Sequence, residues 1–400
     1  MIIWMNCVMK FCKRVYAEHH LRLNENKLGH CAKMKMPIKD TDRHKEVISI
    51  LESGQFPDEC FMCANAEKEG IRSWRDQGNL IHTEKKIFKI EITLDNTCNL
   101  ACGYCYGNLS SVWEAEAKKA PKKYKHFHSL RAKPDNATLQ ESMDYIYSAV
   151  RQAAAKAKDV DRVEIILLGG EPFYNAFFKN SQLTPLIDEY FKLTTDPDTN
   201  ILLNIFSNCN TPKNMIDKYI DEINALKIKY QETSLFLMLS ISNESTEKTS
   251  EAIRFGSNWN NFKYNLDRFF NSSIDRMQFH LTINSLSITK LTDYLKYIDE
   301  MTHQYPHSEV AVQLSQIYEP KAFSISVLDQ SFVKYIHQAK EFADTTNLLL
   351  EGLTFDELSS SIGKNTDKKY LLQEYVNYYK EVRKIDLAQI EPEIYFYVNN

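Results

Sequence analysis

Along most of the chain, apolar β-rich runs alternate with stretches of helical periodicity. From about residue 86, six runs read as strands: 87–94, 163–168, 201–206, 235–241, 277–283 and 310–314. Several are nearly continuous in Val, Ile, Leu and Phe, the pattern of strands buried on both faces. Between them the spacing predicts helices. The clearest opens at Thr138, where Thr138-x-x-Glu141 has the form of a capping box, and runs on through Met143, Ile146 and Val150. Others cover 182–193, 212–226, 258–270 and 288–303. Strands that alternate with helices predict parallel βα units, wound either as an open doubly wound sheet or as a full or partial barrel. Residues 107–136 read as a long loop or irregular insertion, with Lys118, Lys119, Lys122, Lys123, Lys125, Arg131 and Lys133. After residue 320 the pattern is helical, with Leu371, Tyr375 and Tyr379 at four-residue spacing. The division expected is a small domain over 1–85, an α/β body over 86–320 and a helical C-terminal extension over 321–400.

Composition narrows the class. Of 400 residues, 43% are hydrophobic and 26% charged, which excludes wholesale disorder. A net charge of −4 argues against a protein that coats nucleic acid. No apolar run approaches the roughly 20 residues that span a bilayer. The start, Met1-Ile-Ile-Trp-Met5, has no basic residue before it and no small-residue cleavage site after it, so a cytoplasmic protein is expected. The nine cysteines change the picture most. In a reducing compartment, closely spaced cysteines point to metal binding or redox chemistry rather than disulfides.

Cys98, Cys102 and Cys105 form a C-x3-C-x2-C array directly after the first strand of the α/β body. A tight loop can turn three thiolates inward on one centre, and soft thiolates favour zinc or iron–sulfur. Three local ligands suit a cubane with one iron left open. Unligated thiols, or zinc with a distant fourth ligand, are the alternatives on spacing alone.

With Tyr104 at the aromatic position, the array resembles the hallmark of the radical S-adenosylmethionine (SAM) superfamily. That resemblance implies a partial (β/α)6 TIM-like barrel over about 86–316. It also implies a 4Fe-4S cluster on Cys98, Cys102 and Cys105, with S-adenosyl-L-methionine bound at the open iron. The reduced cluster would cleave SAM to a 5′-deoxyadenosyl radical that abstracts hydrogen from substrate. Further motifs fall at strand ends, where barrels build active sites. Gly169, Gly170, Glu171 and Pro172 match the family's SAM-amino-group motif after the second strand. Ser207-Asn208 ends the third strand, with Cys209 where relatives have glycine. Cys209 reads as a small replacement residue or as a thiol facing substrate. Ser242 ends the fourth strand and resembles a SAM-contacting serine, although Asn243-Glu244 departs from the usual Asp-Gly. Arg254 resembles an arginine that pairs with the SAM carboxylate, or is a solvated helix charge. Cys209 and Tyr106 are the candidates for a catalytic role.

In the N-terminal segment, Cys12, Cys31, Cys60 and Cys63 could close an S4 site for zinc or iron–sulfur. The stretch from Cys60 through Glu67, Gly70, Ser73 and Arg75 is similar to the SPASM/twitch module of phage-type radical SAM proteins. This implies an auxiliary iron–sulfur cluster on those four cysteines, with Cys7, His19, His20 and His30 as spare candidates. The resemblance implies a peptide or protein side chain, or a small molecule, as substrate. It also implies a flavodoxin- or ferredoxin-type reductant and no membrane or nucleic-acid partner. A viperin-like nucleotide-modifying enzyme and a non-catalytic zinc-binding interaction protein are the alternatives.

Overall fold

The structure, a computed structural model, describes residues 12, 18–23, 27–29, 36–37, 41–68, 73, 75, 86–127, 139–194, 196 and 198–400. Six strands fall where the apolar runs predict them: β4 (Ile87–Thr93), β5 (Arg162–Leu168), β6 (Asn200–Ser207), β7 (Leu235–Ser242), β8 (Arg276–Ile283) and β9 (Glu309–Gln316). They pair in parallel in chain order, with Ile90 opposite Ile165, Ile165 opposite Leu203, and Leu203 opposite Leu237. Order without reversal leaves no topological switch point, so the sheet is wound in one direction, as a barrel wall is.

The strands are two-faced rather than apolar throughout. One row is fully buried, with Ile90, Ile165, Leu203, Leu239 and Phe279 each 0% exposed. It packs under helices such as Leu139–Lys156, which contributes Met143, Ile146 and Val150. Burying each such large side chain stabilises the fold by roughly 1.5–3 kcal/mol. The other face carries Glu91, Asn204, Ser240, Gln278 and His280. There Ser240 Oγ lies 2.9 Å from Asn204 Oδ1 and 3.1 Å from Gln278 Oε1. A doubly wound sheet needs apolar residues on both faces to pack under helices, so the polar groups on this face argue against helices covering it.

Two further strands extend the wall across both expected boundaries. β1 (Glu18–Arg22) pairs in parallel with β4, and β2 (Lys27–Gly29) and β3 (Met36–Pro37) follow it in antiparallel order. β10 (Leu349–Gly352) pairs in parallel with β9, so the C-terminal stretch is not helical throughout, a correction to the expected extension. Among the described residues this makes eight parallel strands in an open sheet whose edges are β3 and β10.

The expected loop 107–136 is also corrected. It contains the helix Ser111–Lys119, because Ser110 Oγ caps the Trp113 amide at 3.1 Å and Trp113 and Ala117 turn into the core. Arg131, Lys133 and Thr138 lie outside the described residues, as do Cys7, His30, Cys31 and Gly70. Among the described residues, no helix is long and apolar enough to cross a membrane.

Candidate functional site

The three cysteines lie on the loop after β4, and the loop is fastened from several sides. Ser110 Oγ donates to Leu100 O at 2.6 Å, and Cys105 N donates to Cys102 O at 2.9 Å. Ala101 N and Gly103 N donate to Phe255 O and Ile253 O at 2.8 and 2.7 Å, tying the loop to the segment after β7. Tyr375 Oη donates to Gly103 O at 2.9 Å, and Trp113 Nε1 donates to Cys102 O. Gly103 is required here: a Cβ would stand 2.3 Å from Phe323 Cζ and 2.5 Å from Tyr379 Oη.

Burial dominates the thiol electrostatics. It pushes the Cys98 thiol well above its ordinary value, raises Cys102, and pushes Cys105 up to about 12. The thiols also feel one another, since Cys102 acts on both Cys98 and Cys105. The guanidiniums of Arg254 and Arg383 oppose burial at Cys102 and Cys105. Such buried thiols become thiolates when a metal centre takes the proton's place. Among the described residues no three cysteine, histidine or carboxylate side chains are gathered around one ion-sized point. A four-iron cube takes its thiolates on different irons, so its ligands need not meet at one point. Three soft donors on one pinned loop, Cys98 buried and Cys102 and Cys105 half-buried, faced by two arginines, fit such a cluster.

The Gly-Gly-Glu turn after β5 sits directly against this loop. Gly169 and Gly170 have φ of +81° and +59°. A Cβ on Gly170 would stand 2.4 Å from Thr97 O, and Glu171 N donates to that same oxygen at 2.8 Å. The glycines are therefore used for close approach to the protein's own loop. Pro172 opens the short 3-10 turn Pro172–Tyr174 and is buried. The Glu171 carboxylate is 1% exposed and accepts from Asn208 N at 2.7 Å, Ser207 Oγ at 2.9 Å and Phe173 N at 3.3 Å. Burial pushes its pKa up to about 7 against those hydrogen bonds. Among the described residues it has no cation within ion-pair distance, so this buried carboxylate suits a cationic ligand such as an aminium group.

The remaining candidates divide by position. Asn208 Nδ2 donates to Asn99 Oδ1 at 2.9 Å and lies 3.9 Å from Cys98 Sγ. Cys209 is 0% exposed in the main core with φ of +51°, so its thiol faces packed side chains. Tyr106 is half-buried, and its carbonyl accepts from Leu109 N at 2.9 Å. Ser242 is half-buried at the end of β7, in register with His280. Arg254 is buried rather than solvated. Its Nε donates to Glu244 Oε2 at 2.6 Å, its Nη2 to Tyr104 Oη at 2.7 Å, and its Nη1 lies 3.7 Å from Cys102 Sγ. Tyr104 in turn donates to Glu244. Glu244 is thus the carboxylate that fixes Arg254.

Sequence reasoning missed His280 and Arg383, and it missed the pairing of Glu244 with Arg254. His280 faces the polar side of the wall, edge-on to Phe206 with ring centroids 5.6 Å apart and with Ser315 Oγ 3.3 Å from Nε2. Burial, with help from Arg254, lowers its pKa to about 4, so it is neutral at physiological pH. Below it on the same face a cavity of about 800 Å³ is lined by Glu164, Asn204, Met238, Arg276, Gln278 and Glu351.

In the N-terminal segment, Cys12 and Cys60 pack in one small core with Val47, Leu51 and Phe56. Cys63 is buried in the following helix, Phe61–Lys68. His20 is committed elsewhere: its Nε2 lies 2.8 Å from Glu18 Oε2, and its Nδ1 meets Glu91.

No family model matches the chain, and no curated protein matches it. Among solved structures it is similar to anSMEcpe with bound AdoMet, at 13% identity and a TM-score of 0.45, over 66% of this chain and 64% of that one. It is also similar to HydG, a maturase of the FeFe-hydrogenase, at 14% identity and a TM-score of 0.38, over 71% of this chain and 57% of that one. The chain thus spans less than two thirds of the length of either.

Proposed function

We propose that this chain is a radical SAM enzyme. The observation that carries the reading is the convergence of the segments after three strands on the three-cysteine loop that follows a fourth. Glu171 after β5, Asn208 after β6 and Arg254 beyond β7 each reach the loop after β4, by a backbone hydrogen bond at 2.8 Å or by side chains 3.9 and 3.7 Å from a cysteine sulfur. A zinc scaffold would need neither the buried uncompensated carboxylate of Glu171 nor a polar-lined wall behind it.

Cys98, Cys102 and Cys105 would hold the 4Fe-4S cluster. When bound, that cluster supplies the electron that cleaves S-adenosyl-L-methionine to methionine and a 5′-deoxyadenosyl radical, which abstracts hydrogen from substrate. The chain's own residues hold and shield. Glu171 gives the SAM amino group a negative charge in a site closed to water. Ser207 and Asn208 set the Glu171 carboxylate, and Gly169, Gly170 and Pro172 set the turn that carries it. Ser242 offers a hydroxyl at the polar face. Arg254, locked by Glu244 and Tyr104, holds positive charge beside Cys102.

For the substrate, this reading takes a peptide or protein side chain, as the likeness of the Cys60–Arg75 stretch to SPASM/twitch modules implies. Cys12, Cys31, Cys60 and Cys63 would hold an auxiliary iron–sulfur centre, and Cys12 and Cys60 already lie in one small core. A low-potential flavodoxin or ferredoxin would supply electrons in the cytoplasm. The test is anaerobic incubation of the reconstituted protein with dithionite and SAM. Formation of 5′-deoxyadenosine and methionine by wild type, and not by the Cys98→Ala variant, is expected. A cluster-loaded wild type that leaves SAM intact would overturn the reading.

A further inference from the structure

Arg383 lies nearly 280 residues beyond the cysteine loop, yet its charge is buried beside it. It ends the π-helical turn Tyr379–Arg383, which follows the helix Lys369–Tyr378. Its side chain is 0% exposed. The guanidinium carbon lies 4.7 Å from the ring centre of Phe255, 4.8 Å from Trp113, 4.9 Å from Tyr379 and 5.5 Å from Tyr378. Only Nε is used, donating to Glu116 Oε1 at 3.0 Å. Nη1 and Nη2 meet no hydrogen-bond acceptor among the described residues.

The walls of this aromatic box are parts of the loop's own fastening. Trp113 donates to Cys102 O, and Phe255 O accepts from Ala101 N at 2.8 Å. Tyr379 Oη stands over Gly103. The guanidinium charge is therefore held close to the cysteines with little water to screen it. Leaving two guanidinium nitrogens unpaired in an apolar box is costly unless their charge is used. Aromatic faces return part of that cost, and Glu116 part of the charge. Tyr378 Oη also donates to Glu116, which spreads the Glu116 charge away from Arg383.

We propose that Arg383 is a positioning charge that raises the reduction potential of the cluster held by Cys98, Cys102 and Cys105. This rests on the reading that the loop holds such a cluster. A cluster with three thiolates is an anion, and taking one electron from a low-potential carrier makes it more negative. A fixed positive charge in a low-dielectric site stabilises the reduced form more than the oxidised form. No proton moves and no bond to Arg383 changes. The C-terminal extension thereby sets how readily a physiological donor can load the site.

The test is a potentiometric titration of anaerobically reconstituted full-length protein, followed by electron paramagnetic resonance of the reduced cluster. The relevant signal is the one lost in the Cys98→Ala variant. Arg383→Met is expected to move the potential to more negative values, Arg383→Lys to leave it near wild type, and Glu116→Gln to move it to more positive values. Packing alone would make Lys and Met alike and would not give Glu116→Gln the opposite sign. An Arg383→Met protein with wild-type iron content and an unchanged potential overturns the proposal. If Arg383→Met fails to retain iron, Glu116→Gln decides, and no positive shift there overturns it. A wild type without any such signal overturns instead the cluster reading on which the proposal stands.

Discussion

The chemistry of the site rests on a few residues whose neighbours leave little freedom. Gly170 is one. Its φ of +59° disfavours any side chain, and a Cβ would stand 2.4 Å from a backbone oxygen of the cysteine loop. Gly170→Ala is therefore expected to lose about 2 kcal/mol of stability from backbone strain, with more from displacement of the loop. Denaturant unfolding checks the first effect and iron per chain the second, which should fall. Glu171 is the other. Three donors already satisfy it, yet no cation among the described residues neutralises it, so replacing its charge while keeping its shape isolates the ligand term. Glu171→Gln is expected to weaken SAM binding about tenfold, near 1.4 kcal/mol, with iron content unchanged. Equilibrium dialysis of the cluster-loaded protein reads this out, and an unaltered affinity would remove Glu171 from SAM binding.

At the scale of elements, β1 reaches the wall through charges rather than apolar contacts alone. His20 of β1 lies between Glu18 and Glu91, and Lys89 Nζ lies 2.6 Å from Glu91 Oε1. Burial pulls the His20 pKa down, but the two carboxylates outweigh it and the net shift is upward. Burial likewise pushes Glu91 up, but His20 and Lys89 bring it to about 2. A histidine with a raised pKa stabilises the fold fully below its ordinary 6.5, and loses that contribution as pH rises through the folded value. A carboxylate with a lowered pKa stabilises it fully above its ordinary 4.5, and loses that contribution as pH falls toward 2. The β1–β4 pairing is thus strongest between pH 4.5 and 6.5. His20→Gln is expected to cost roughly 1.5–3 kcal/mol in that window, because it removes the positive charge that Glu18 and Glu91 both face. The difference from wild type should shrink above it as His20 loses its proton. Thermal unfolding across pH measures this, and a difference independent of pH would show that packing, not charge, holds β1.

Across the whole molecule, what was legible in the sequence follows the range of the interactions. The six strands β4 to β9 show in apolar runs because each buries a full face, and the cysteine loop, the Gly-Gly-Glu turn and Ser207-Asn208 show because local spacing carries them. β1 was hidden by its polar sequence Glu-His-His-Leu-Arg, in which His20 is paired across the sheet with Glu91, and β10 by its length of four residues. Arg254 and Glu244 were each visible, but their pairing was not, since nothing local joins them. Arg383 left no signal, because its meaning comes from Trp113 and Phe255 far upstream. Two linked parts follow: a parallel wall that presents the three-cysteine loop, and a C-terminal extension that closes over it. The most direct test is the iron count of anaerobically reconstituted wild type beside the Cys98→Ala/Cys102→Ala/Cys105→Ala variant. About eight irons falling to about four is predicted, with four for each cluster. Zinc in place of iron in both proteins would contradict a radical mechanism.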